Sequence, residues 1–329
     1  MRAFNVALTS GLFLAAVVGA VPGPGPVTGN IAVHDPTMCK DKNGKYWLFA
    51  TGKGIPIRSS ATRVDFKLEG AVWPNGAPWT DRYTPANARS ELWAPDCYYS
   101  GGTFHLFYAA SGFGIWYLLR DIYNWTTWQG QLLCPKELEL TIVYLTGSFT
   151  DKGLVLESTA NDNFNAIDPN LLVVGNTWYL SFGSFWTGIK SVQLDPGTGR
   201  TKGAIKPIAQ RPNAGGAVEA STVYKYGSYY YLFTSWDACC KGTSSTYNIR
   251  VGRSNSPDSG FVDQAGVALT NGGGTLLLGT HDNAGSHLPL CDPETHLYGP
   301  ILVYHYYTSS GSLLGINRLD FKSGWPVVV

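Results

Sequence analysis

The chain has 329 residues, a formal net charge of +1 and only 14% charged residues. That balance excludes the electrostatic footprint of a nucleic-acid or membrane-surface binder. The length suffices for one large all-β domain or two smaller ones, and the 13% aromatic content with 39 glycines and 2 methionines favours short strands joined by tight turns.

At the N-terminus Arg2 precedes the apolar run VALTSGLFLAAVVGA at 6–20, which VPGPGP then ends abruptly. The run is too short to span a bilayer, and Val18-Gly19-Ala20 offers small residues for cleavage. Residues 1–20 are therefore read as a secretory signal and 21–329 as one exported domain. No later segment has the apolar length of a membrane span. The six cysteines suit an oxidising compartment but make no small-domain framework or zinc spacing. Cys239 and Cys240 are adjacent and are expected to pair elsewhere or stay free; connectivity is left open.

Four stretches then follow one plan: an acid, a short strand, a turn and an aromatic strand. They are HDPTMCKDKNGKYWLFAT (34–51), WAPDCYYSGGTFHLFYAAS (93–111), IDPNLLVVGNTWYLSFGSFW (167–186) and EASTVYKYGSYYYLFTSW (219–236). The turns Asn43-Gly44, Gly101-Gly102, Gly175-Asn176 and Gly227 are hairpin signals. A weaker fifth unit is CDPETHLYGPILVYHYYTSS, 291–310. The acids Asp35, Asp96, Asp168 and Glu219 recur at about 50–70 residues, the period of four-stranded blades with loops. Five such units predict a five-bladed β-propeller, in which acids far apart in sequence meet at one channel mouth. A two-sheet sandwich explains the strands but not the recurring acid.

Converging carboxyls have a chemical use. Glycoside hydrolysis needs one protonated carboxyl to protonate the leaving oxygen and one ionised carboxyl as base or nucleophile. A third nearby carboxylate raises the pKa of the acid. Each Asp-Pro taken alone reads better as a turn opener; the repetition is what points to a site.

VHDPTMCKDKNGKYWLFATG, ELWAPDCYY, NAIDPNLL, VEASTVYKYGSYYYLFTSWDACCKGTSSTYNIRVGRS, GTHDN and FKSGWP together resemble the fungal endo-1,5-α-L-arabinanases of glycoside hydrolase family 43. The resemblance covers most of 28–112 and 148–283 and the end of the chain. It implies a five-bladed propeller that hydrolyses arabinan, a polysaccharide, with inversion. It further implies Asp35 as general base, Glu219 as general acid and Asp168 as the carboxylate that raises the pKa of that acid. His281 in GTHDN matches a histidine associated with a channel cation, usually calcium. Trp93 and Asp96 match a substrate-cleft segment, with sugar stacking and plain packing both open for Trp93. Phe185 and Trp186 line the same groove or belong to the core. His34 precedes the base and is read as ordering the backbone. The chain is expected to act as a monomer, without nucleic-acid or membrane partners. Segments 113–146, which holds the glycosylation sequon at Asn124, and 284–297 depart from the family pattern. Other specificities on the scaffold, such as exo-arabinanase, arabinofuranosidase or β-xylosidase, and a non-catalytic sugar-binding propeller, are the competing readings.

Overall fold

Five sheets hold the strands of the described residues, which a computed structural model gives as 23–81, 91–111, 130–133, 149–159, 161–279, 290–292 and 300–329. The first is built from β1 (Thr28–Gly29), β2 (Thr37–Lys40), β3 (Tyr46–Phe49), β5 (Pro56–Ser60) and β6 (Asp65–Ala71). In the second, β4 (Gly52–Lys53) edges β7 (Glu91–Ser100), β8 (Thr103–Ser111), β9 (Gly130–Leu133) and β10 (Leu154–Glu157). The third runs β11 (Asn170–Val174), β12 (Thr177–Phe182), β13 (Ile189–Leu194), β14 (Thr201–Ala209). The fourth runs β15 (Val218–Tyr226), β16 (Tyr229–Trp236), β17 (Asn248–Ser254), β18 (Thr275–Leu278). The fifth runs β19 (Leu290–Asp292), β20 (Ile301–Thr308), β21 (Gly311–Asp320), β22 (Val327–Val328). The leader 1–20, Asn124 and His281 lie outside the described residues, and the atypical segments contribute only β9 and β19 to them.

The innermost strands close a ring: β2 lies against β7, β7 against β11, β11 against β15, β15 against β19, and β19 against β2. This is the five-bladed propeller that the repeat predicts. The hairpins at its centre form as expected from their turns. Ser100 pairs with Thr103 across Gly101-Gly102, both at positive φ, the twist that a two-residue hairpin needs.

The blades hold together through apolar clusters between neighbours, and this explains why the second strands of the first and fourth blades are apolar on both faces. Trp47 and Phe49 of β3 turn to Phe104 and Tyr108 of the second blade. Tyr46 and Leu48 turn the other way, to Ile301, Val303 and Leu314 of the fifth. In β16 Tyr230 and Leu232 face the third blade, while Tyr231 and Phe233 face the fifth. Successive residues of a strand point to opposite faces, so a strand packed on both sides reads as an unbroken apolar run.

A polar belt runs inside these cores. The Cys97 N–H donates to Thr37 Oγ1 at 3.2 Å. The Leu171 N–H donates to Asp96 Oδ2 at 2.7 Å, and the Val223 N–H donates to Asn170 Oδ1 at 2.9 Å. Each bond joins the same place on one inner strand to the next residue's place on the neighbouring blade. The belt fixes the true register of the repeat. Asp35, Ala94, Asp168 and Ala220, all at positive φ, occupy one position, and Thr37, Asp96, Asn170 and Thr222 occupy the position two residues on. The expected equivalence of Asp35, Asp96, Asp168 and Glu219 is thus corrected: Glu219 falls one residue early, in line with His34 and Trp93, and Asp96 two residues late.

Cys39 and Cys97 cross-link β2 to β7 over a sequence separation of 58; a loop of that size removes about 4 kcal/mol of chain entropy from the unfolded state. Cys239 and Cys240 bridge each other, against the expectation that adjacent cysteines would not. The ring is closed by residues 23–33. The N–H groups of Gly25 and Val33 donate to Ile316 and Ser312 of β21, the Leu314 N–H donates back to Ile31, and Arg58 of β5 clasps Asn30 and Ala32.

Candidate active site

Four residues meet at one end of the channel, two just before β2 and β11 and two near the start of β7 and β15. Asp35, Ala94, Asp168 and Ala220 have φ of 45°, 41°, 55° and 52°. Non-glycine residues seldom adopt this region, and such strain persists where surrounding structure enforces it, commonly at functional sites.

Asp35 is held from three directions. Its N–H donates to His305 Nδ1 at 3.0 Å, which leaves the proton of a neutral imidazole on Nε2. Its Oδ2 accepts from Thr51 Oγ1 at 2.6 Å, and that hydroxyl in turn accepts the Ala94 N–H at 2.7 Å. Its Oδ1 lies 3.5 Å from His34 Nε2. The His34 and His305 rings pack with centroids 4.3 Å apart.

Asp168 and Glu219 are joined by the loop that follows β12. The Gly183 N–H donates to Ile167 O and the Phe185 N–H to Val218 O, so the loop spans from the residue before Asp168 to the residue before Glu219. Between them Ser184 Oγ donates to Glu219 Oε2 at 2.5 Å. Asp168 Oδ2 accepts the Ala220 N–H at 3.0 Å. Gly216 packs under this loop; a Cβ there would come within 2.9 Å of the Trp186 carbonyl oxygen.

The electrostatics follow from burial and like charge. Glu219 is pushed up to about 7, first by burial and then by the charge of Asp35, with the Ser184 hydroxyl opposing the rise. Asp168 is pushed well above the usual carboxylate range by burial, then by Glu219 and Asp35. Asp168 is raised by Glu219, and both are raised by the charge of Asp35, so the mouth holds a proton near neutral pH. One carboxyl that keeps a proton beside another that is ionised is the division of labour glycoside hydrolysis needs.

The other expected residues divide. Trp93 is half-buried at the mouth, beside the Ala94 link to Thr51. Phe185 and Trp186 are half-buried on the loop beside Glu219, both at positive φ. Asp96 is not at the mouth. It is 4% exposed, its oxygens accept from Asn170 Nδ2 and the Leu171 N–H, and burial pushes its carboxyl up to about 7. It is a brace between blades, and its place in the substrate-cleft segment is corrected accordingly. Sequence reasoning did not single out Thr51, Ser184 or His305. The one local signal was a polar residue in each apolar run: FATG, SFGSFW and VYHYY.

For a cation, the described residues bring together one group of donors, His34, Asp35 and His305, within 4.8 Å of one another. Calcium takes six to eight oxygen ligands. This group offers one carboxylate, and His305 Nδ1 is already occupied by the Asp35 N–H. These residues do not fit calcium.

The chain matches the glycosyl hydrolases family 43 over residues 26–326. It is 36% identical to an arabinan endo-1,5-alpha-L-arabinosidase A of Aspergillus aculeatus over 96% of each chain. It is 35% identical to an extracellular endo-alpha-(1->5)-L-arabinanase of Bacillus subtilis, covering 98% of this chain and 95% of that protein. A solved family 43 endo-arabinanase from Bacillus licheniformis superposes with a TM-score of 0.77 at 35% identity, over 92% of this chain and 99% of that one. With the five blades and the strained carboxyl mouth, these matches make the chain a member of glycosyl hydrolase family 43.

Proposed function

We propose that this protein hydrolyses internal α-1,5-L-arabinofuranosidic bonds of arabinan with inversion. The observation that carries the mechanism is the carboxyl group at the mouth, with Glu219 raised to about 7 and Asp35 tied by Thr51 and His305. The leaving group is a primary alcohol, the 5-oxygen of the next sugar, and it departs poorly without a proton. Glu219, kept protonated by burial and by the charge of Asp35, donates that proton as the C1–O5 bond breaks. Asp35 takes a proton from a water that attacks C1 from the opposite face. Asp168 sets the proton affinity of Glu219 and, through the Ala220 N–H, the backbone that carries it.

Export is part of the reading. The 6–20 apolar run and the two disulfides suit an oxidising, extracellular setting. A mature N-terminus found by mass spectrometry shortly after Ala20 is the expected result; an intact Met1 in the culture medium would contradict it.

Debranched arabinan supplies the main test. Internal cutting yields a spread of oligomers before arabinose accumulates, whereas steady release of one short product from the start marks exo action. Glu219→Gln keeps the size and the hydrogen bond to Ser184 but has no proton to give. It is expected to lose about 10²–10⁴-fold in kcat on arabinan, and much less on an aryl arabinofuranoside whose leaving group needs no proton. Equal losses on both substrates with the fold intact would remove Glu219 from the role of acid.

A further inference from the structure

The bridge between Cys239 and Cys240 is unusual in what it can contribute. A cross-link between adjacent residues closes almost no loop, so it restricts the unfolded chain little, unlike Cys39–Cys97. Its effect is local: it fixes the shape of one turn and gives that turn a face of two polarizable, apolar sulfurs.

That face lies at the mouth. Glu219 pairs with Ser235, and β16 ends one residue later at Trp236, so the segment 237–247 rises from the end of the blade that carries Glu219. Its base is tied down. Asp237 accepts from Arg211 Nη1 at 2.5 Å and from Asn248 Nδ2 at 2.7 Å, and its N–H donates to Ala217 O. Ala238 and Thr246 exchange hydrogen bonds, and the Lys241 N–H donates to Ser245 Oγ. The cysteines project from this braced stalk, with Cys239 half-buried and Cys240 exposed at φ 64°.

One contact aims the turn. The Cys240 N–H donates to the Tyr307 hydroxyl at 3.2 Å. The Tyr307 ring lies 5.1 Å from the His305 ring and 6.1 Å from the His34 ring. His34 Nε2 is 3.5 Å from Asp35. The disulfide thus stands on a line of touching groups that ends at the residue assigned as base, in the wall where the fourth blade meets the fifth.

We propose that the Cys239–Cys240 disulfide is a substrate-contacting wall of the cleft, packing against the C–H face of an arabinofuranosyl unit and held in place by Tyr307. A furanose ring has an apolar face as well as hydroxyls, and on the side of the mouth formed by Asp35, His34 and His305 the two sulfurs offer an apolar surface to seat it. This rests on the arabinan reading above.

The test compares binding with turnover. In a Glu219→Gln background, replacing both cysteines with serine is expected to raise the Kd of arabinohexaose, measured by calorimetry, about tenfold. In the active protein the same pair is expected to raise KM for arabinan to a similar extent with kcat within about twofold. Tyr307→Phe leaves the disulfide and removes the group that anchors it; a smaller rise in Kd is expected. An unchanged Kd in a folded serine pair overturns the proposal. So do KM and kcat worsening together in step with a lowered Tm, which marks a mere clasp for the loop. A serine pair that does not fold leaves the decision to Tyr307→Phe, where an unchanged Kd overturns it. If the Glu219→Gln parent binds no arabinohexaose and the active protein releases nothing from arabinan, the substrate reading fails and the wall falls with it. Binding by the parent with indifference to the cysteines sinks the wall alone.

Discussion

Glu219 has neighbours that pull its proton in opposite directions, and this gives the site a test that a single substitution cannot. The Ser184 hydroxyl donates to Glu219 Oε2 and favours the carboxylate. Asp168 is electrostatically linked to Glu219, and such repulsion is reciprocal. Activity at high pH is limited by the group that must stay protonated. Ser184→Ala is therefore expected to move the alkaline limb of the kcat profile to higher pH, and Asp168→Asn to move it lower. Both should cost less than the ~10²–10⁴-fold of losing the acid itself. Limbs that move the same way, or not at all, would sever these residues from the proton of Glu219. The acids were legible in the sequence because a carboxylate opening an apolar strand is rare enough to stand out. Ser184, Thr51 and His305 were not, for a geometric reason. Ser184 lies 35 residues from Glu219, and His305 lies 270 from Asp35. Only closure of the ring brings such pairs together, and a serine in a loop or a histidine in a buried strand looks ordinary until it does. Asp96 is the reverse case. It had the right residue type and the right spacing, but two residues along a strand turned it from the mouth into the wall.

At the scale of strands, hairpins were legible and register was not. Turn chemistry is local: Gly101-Gly102 or Asn43-Gly44 sets a hairpin whatever surrounds it. The doubled apolar faces of β3 and β16 were legible as strands for the same reason, though not which neighbour each face would meet. Blade-to-blade register is set by the belt of Thr37, Asp96 and Asn170, each reaching across to a neighbour's backbone, and it leaves no periodic trace because three different residue types do one job. The belt makes its own prediction. Asn170→Ala strands the Val223 N–H inside the core and takes from Asp96 one of its donors. Leaving buried groups unsatisfied costs about 1–3 kcal/mol each. The exposed Lys45–Glu69 pair sets the comparison, since such surface pairs contribute about 0–1 kcal/mol. Urea unfolding should show Asn170→Ala clearly destabilised and Lys45→Ala close to wild type. Equal effects would mean that water reaches the belt and satisfies it.

For the whole molecule, the same burial that arms the mouth sets how stability depends on pH. The ring is stapled between its first and second blades by Cys39–Cys97 and closed between its fifth and first by residues 23–33, which holds Asp96 inside the wall and Asp168 and Glu219 half-buried at the mouth. Asp96, Asp168 and Glu219 are all raised above the usual carboxylate range, with burial the leading cause. The sign of the linkage follows. In the unfolded chain these groups lose their protons near pH 4. In the folded chain Asp96 and Glu219 keep them to about 7. Between those values the folded state binds more protons than the unfolded state, so stability falls as pH rises, by at most about 1.4 kcal/mol per pH unit for each group. Below pH 4 both states are protonated and these groups contribute no slope. Glu219→Gln deletes one titration while keeping an acceptor for Ser184. The variant is therefore expected to melt above wild type at pH 8, with the gap closing as pH falls toward 4. Thermal unfolding of the two proteins across that range checks it. Parallel curves would mean that Glu219 is ionised in the resting fold, and would leave the site without the proton its chemistry requires.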